Sequence, residues 1–124
     1  MIPSVFRSLV QNLAAWLVDP ARRPLVLRGA RQVGKTWLVR DLAARSGLDL
    51  VEANFEQDPR LARVFASGDP RAMLGDLGLV LGRSIAPDRT LLFLDEIQAA
   101  PAALGSLRWF AEQMPELPVI AAGS

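Results

Sequence analysis

Two short stretches hold residue types at spacings that suit chemistry on phosphate. Gly29-Ala30-Arg31-Gln32-Val33-Gly34-Lys35-Thr36 fits G-x-x-x-x-G-K-[ST], a loop whose backbone N–H groups turn inward around a phosphate. Glycine is needed where a Cβ would collide with the ligand, and a helix starting at Gly34 adds its positive N-terminal end. Lys35 is the only lysine among 14 basic residues. A compact ammonium on a flexible stem reaches between β- and γ-phosphates, where a planar guanidinium is too bulky. Thr36 offers a hydroxyl to magnesium. Further along, Leu91-Leu92-Phe93-Leu94 runs into Asp95 and Glu96. Asp95 is the candidate metal carboxylate, and Glu96 the candidate to polarise an attacking water.

These residues need elements that bring them to one place, and the pattern supplies them. Residues 24–28 (PLVLR) are a short apolar run that reads as a strand buried on both faces and delivering the loop. KTWLVRDLAARS then reads as a helix stopped by Gly47. A second strand is expected over 48–55. Two short helices follow, each opened by a capping carboxylate and a proline, Asp58-Pro59 and Asp69-Pro70. Residues 90–94 form a third strand that ends at Asp95. Pro101 opens a helix to about Gln113, with Leu104, Leu107, Trp109 and Phe110 as its expected buried side, and LPVIAAGS is a fourth strand. Ahead of all this, residues 4–18 place Val5, Leu9, Leu13, Trp16 and Leu17 at helical spacing, an amphipathic helix expected to pack on the rest.

Alternating strands and helices predict an α/β fold with a parallel sheet and right-handed crossovers. In such sheets ligands bind outside the carboxyl ends of the strands, where Gly29–Thr36 and Asp95-Glu96 would both fall. The expected organisation is one domain over 1–124, comprising the helix over 4–18 and a phosphate-loop core over 24–124.

Composition narrows the chemistry. The chain has no cysteine and no histidine, which excludes disulfides, thiolate nucleophiles, zinc sites and histidine acid–base catalysis. Any metal is a hard ion held by oxygen. With 51% apolar residues and a mean hydropathy of +0.23, a packed core is expected. A net charge of +1 gives no electrostatic footprint for nucleic acid or an anionic membrane. No apolar run is long enough to cross a bilayer, and a cytoplasmic location is expected.

Other polar residues give weaker signals. Ser124, at the end of the fourth strand, is either a γ-phosphate sensor or an ordinary strand-end serine. Arg31 and Gln32 are equally loop surface or site. Asn54 and Glu56 read as local capping groups, and Gln98 as a possible support for the water near Glu96. Arg22, Arg23, Arg60 and Arg63 read as solvated. Gly75, Gly78 and Gly82 do not match a dinucleotide fingerprint, and Leu74, Leu77 and Leu81 around them favour packing.

Taken together, GARQVGKTWLV, NFEQDP, TLLFLDEIQAAPAALGSLRWFAE and PELPVIAAGS resemble the prokaryotic AAA-domain ATPases that carry a C-terminal domain of unknown function. The resemblance runs from about residue 3 to the last, with four blocks in the family's order. It implies a three-layer P-loop fold with strand order 5-1-4-3-2, ATP as ligand with Mg2+, and ATP hydrolysis. By that match Gly29, Ala30, Arg31, Gln32, Val33, Gly34, Lys35, Thr36 and Trp37 hold the nucleotide, and Thr36 with Asp95 the metal. Glu96 is the catalytic base, Lys35 acts on the phosphates, and Ser124 falls at the sensor position. Ala30 stands where the family commonly has proline. Members continue into a fifth strand, a lid and the C-terminal domain, so the chain reads as the truncated N-terminal part of such an ATPase. Its expected partners are those parts or another protein, with a homo-oligomer of the full-length form and no membrane or nucleic-acid partner indicated. Two other functions fit the motifs: a nucleotide-binding module without turnover, and a phosphotransferase, which the adjacent Glu96 disfavours because it suits water activation.

Overall fold

A computed structural model describes residues 4–28 and 34–123, with side chains from residue 7 onward. In chain order the elements are α1 (Ser4–Val18), β1 (Leu25–Leu27), α2 (Lys35–Ser46), β2 (Asp49–Asn54), α3 (Leu61–Val64), α4 (Pro70–Leu81), β3 (Thr90–Asp95), α5 (Pro101–Gln113) and β4 (Val119–Ala122). All four strands are parallel, in the order β1-β4-β3-β2. This is the expected order of the first four strands, and it places β4 between the strands carrying the two motifs.

Strand alternation splits the core into two layers. Leu91, Phe93, Ile120 and Ala122 face α1 and α2, burying Leu13, Leu38, Val39, Leu42 and Ala43. Leu92, Leu94, Val119 and Ala121 face α3, α4 and α5, with Phe55, Phe65, Met73, Leu77 and Phe110. β3 is buried on both faces because each face has helices over it, as its unbroken apolar run requires. Each fully buried Leu or Phe contributes roughly 1.5–3 kcal/mol relative to exposure. β1 is only half-buried rather than fully so, because it pairs with β4 alone and forms one edge of the sheet.

Local chemistry explains most boundaries. Gly47 takes the left-handed conformation that stops α2. Asp69 accepts from the Arg71 N–H at 3.1 Å, with Pro70 opening α4. Asp58 behaves differently. It accepts from both the backbone and the guanidinium of Arg60, which holds Pro59 and Arg60 in a turn, and α3 begins only at Leu61.

Some expectations about burial are corrected, among them Leu9, which is 37% exposed on α1. α5 turns Ala103, Ser106 and Phe110 inward and leaves Leu104 and Trp109 exposed, at 41% and 37%. Small residues let the helix lie close on the sheet, and Trp109 packs beside Gly68 while the Arg108 guanidinium lies 5.6 Å from its ring. Arg22 is also not a solvated charge. Its guanidinium donates to the Leu17 carbonyl at 2.6 Å and the Pro115 carbonyl at 3.0 Å, tying α1 to the turn before β4. Of the three leucines around the α4 glycines, Leu74 and Leu77 are buried and Leu81 is exposed.

Two of those glycines differ in what surrounds them. A Cβ on Gly78 would lie 2.5 Å from the Arg83 carbonyl oxygen, whereas one on Gly75 would meet open space. Gly78→Ala is expected to destabilise the protein by about 1–3 kcal/mol through overpacking. Gly75→Ala should stabilise it by roughly 0.5–1 kcal/mol through helix propensity. Urea denaturation of the two variants checks the contrast.

Candidate functional site

Because the strands are parallel, their carboxyl ends open on one edge of the sheet, and the candidate residues gather there. Lys35 is the first residue of α2, and its Nζ donates to the Gly123 carbonyl oxygen, just past β4, at 2.9 Å. The Gly123 N–H in turn donates to the Leu27 carbonyl at the end of β1. Thr36, one residue into the same helix, and Asp95, the last residue of β3, line a common polar cleft of about 430 Å³. Gly34 precedes the helix and accepts from the Leu38 N–H at 2.8 Å. Trp37 is 47% exposed beside it. Gly29, Ala30, Arg31, Gln32, Val33 and Ser124 lie outside the described residues.

Asp95 and Glu96 have different surroundings. Burial pushes the Asp95 carboxyl above the usual carboxylate range. The Glu96 N–H, which donates to Asp95 Oδ1 at 2.9 Å, partly offsets this, the charges of Glu96 and Glu52 push upward again, and Lys35 pulls down. Glu96 breaks the strand with φ +53°, the one left-handed non-glycine among the described residues. Such a conformation costs of order 1 kcal/mol and turns the side chain out of the strand's alternation. Its carboxylate accepts from Gln98 Nε2 at 2.8 Å.

The surroundings suit a hard cation. Among the described residues no group of three or more acidic residues could hold a metal alone. One half-buried carboxylate and one hydroxyl suit magnesium that arrives with phosphate oxygens completing its shell. The upward shift of Asp95 marks a place where added positive charge is favourable.

Further residues line the cleft that were not singled out from the sequence. Arg40 and Glu52 form an ion pair at 3.0 Å, and both line the cleft with Thr36 and Asp95. Spacing carried the signal: Arg40 is four residues beyond Thr36 on α2, and Glu52 shares a strand face with Asn54. Asn54 pairs in register with Asp95, and its Oδ1 caps the next turn by accepting from the Glu56 and Gln57 N–H groups, the local role expected of it. The Gly123 carbonyl has no side-chain signature at all.

A parallel sheet with a lysine-bearing helix start beside an acidic strand end defines the class of nucleotide-binding α/β modules. The chain belongs to the AAA domain family, whose model matches residues 21–124. No curated protein matches it. Among solved structures it is similar to C. elegans PCH-2, with a TM-score of 0.52 and 13% identity over 94% of this chain. The match spans 36% of that protein's chain, so the likeness is one of fold. No helix among the described residues is long and apolar enough to cross a membrane.

The Asp95 carboxylate is costly only when ionised, so its cost is absent below the ordinary value of 3.8 and grows as pH rises through its higher folded value. Asp95→Asn should therefore raise the urea midpoint at pH 7 without divalent cation, and the gain should vanish as the pH falls below 3.8. Denaturation curves across that range check it.

Proposed function

We propose that residues 1–124 act as one ATP-binding domain of a longer ATPase and hydrolyse ATP with Mg2+. The observation that supports this most is the meeting of Lys35, Thr36, Asp95 and Glu96 at the carboxyl edge of the parallel sheet. On this reading Gly29 to Gly34 supply the phosphate-facing backbone and Trp37 flanks it. Lys35 exchanges the Gly123 carbonyl for β- and γ-phosphate oxygens. Thr36 and Asp95 would hold magnesium, which when bound neutralises the developing charge on those oxygens. Glu96 accepts a proton from water as the water oxygen bonds to the γ-phosphorus and the bond to the β–γ bridging oxygen breaks. Ser124 senses the γ-phosphate. Phosphate loss then drives movement of a lid, a C-terminal domain or a partner. Assembly of the full-length form into a homo-oligomer and a cytoplasmic location fit the same reading.

Glu96→Gln should lower kcat about 100-fold or more while leaving ATP affinity unchanged, since a general base contributes that much. Lys35→Ala should weaken ATP binding at least about tenfold, the worth of a hydrogen bond to a charged group. Phosphate release and fluorescent-nucleotide titration measure the two. Magnesium-dependent ATP binding with no phosphate release above the Glu96→Gln control would instead make this a binding module without turnover.

A further inference from the structure

Gln98 sits between the two halves of the site, two residues beyond Glu96 in the 3-10 turn Ile97–Ala99. Its Nε2 is 2.8 Å from Glu96 Oε1. An ionised carboxylate only accepts hydrogen bonds, so the NH2 end of the amide must face Glu96. That places Gln98 Oε1 over Gly123, so close that a Cβ there would lie 2.6 Å from it. The backbone of Gly123 meanwhile holds Lys35 through its carbonyl and β1 through its N–H. Glycine at 123 thus leaves the room that the Gln98 amide occupies.

We infer that Gln98 is a positioning residue for Glu96, and that Gly123 is required for Gln98 to reach it. The inference rests on the hydrolytic reading above. The left-handed backbone at Glu96 sets where its side chain starts, but three rotatable bonds remain before the carboxylate. The Gln98 bond engages Oε1 and leaves Oε2 to accept from water. A misplaced base loses rate without loss of binding, because the substrate phosphates are held elsewhere. Gly123 also links this clamp to the phosphates: whatever draws Lys35 from the Gly123 carbonyl acts on the residue against which the Gln98 amide rests.

Gln98→Ala should lower kcat roughly tenfold, with KM for magnesium-ATP and ATP affinity within about twofold of wild type, as for loss of one hydrogen bond to a charged group. Gly123→Ala crowds only the mobile tip of Gln98, so it should fold and show the same split. The double variant should be no slower than either single one, the non-additivity of a shared contact. In nitrogen-15 glutamine-labelled protein, the Gln98 side-chain NH2 signals should shift in both Glu96→Ala and Gly123→Ala. Unchanged kcat in Gln98→Ala, additive losses, or NH2 signals indifferent to Glu96→Ala would overturn the inference. If wild type releases no phosphate, the hydrolytic reading fails on its own, and the NH2 signals still decide whether Gln98 holds Glu96.

Discussion

Insertion of β4 between β1 and β3 is the constraint on which the candidate site depends. β1 leads to the glycine-rich loop and β3 ends in the two carboxylates, and the two strands are far apart in sequence. Only a parallel strand that bonds to both fixes their ends at one level. Leu27 pairs with Ala122 and Leu94 with Ala121, so the residues that follow emerge side by side. Such pairings across long separations are costly in chain entropy and are made worthwhile by the apolar layers above and below β4. All four β4 residues are buried.

The same arrangement explains how polar groups survive beside a dry core. Asp95 closes a strand with no exposed member and Glu96 follows it, so they meet water only where the sheet ends. There the N-terminus of α2 and its lysine supply the positive potential that the carboxylates lack. Gly123 accepts from Lys35 without placing a side chain in the space. Polar satisfaction at this edge therefore relies heavily on backbone atoms, and nucleotide phosphates would compete for the same lysine.

Much of this was legible in the sequence, for physical reasons that differ by element. The fully apolar LLFL run could only be a strand covered on both sides, and its carboxyl end had to carry Asp95 and Glu96. Gly47 and Asp69-Pro70 marked boundaries because their local geometry is almost self-sufficient. On α5 the apolar spacing finds Phe110 and the half-buried Leu107 but also assigns Leu104 and Trp109 to the core. The sheet instead takes Ala103 and Ser106, and the spacing of Leu104 and Trp109 could not reveal that. Arg22 looked like a surface charge since its carbonyl partners lie mostly in a turn more than 90 residues away. Gly123 acts through a backbone atom, which no local pattern records, and the Arg40–Glu52 pair joins α2 to β2, so spacing places each residue on its face without showing that the two meet.

The left-handed backbone at Glu96 sets a bias that runs against chemistry. Asparagine and glycine enter that conformation more readily than glutamate does. A population of variants sorted on folding alone would drift toward those residues at position 96 and shed the carboxylate while looking improved. On the proposed hydrolytic role, retaining glutamate there needs a selection that responds to what the side chain does, which sets thermal robustness against competence at this one peptide unit.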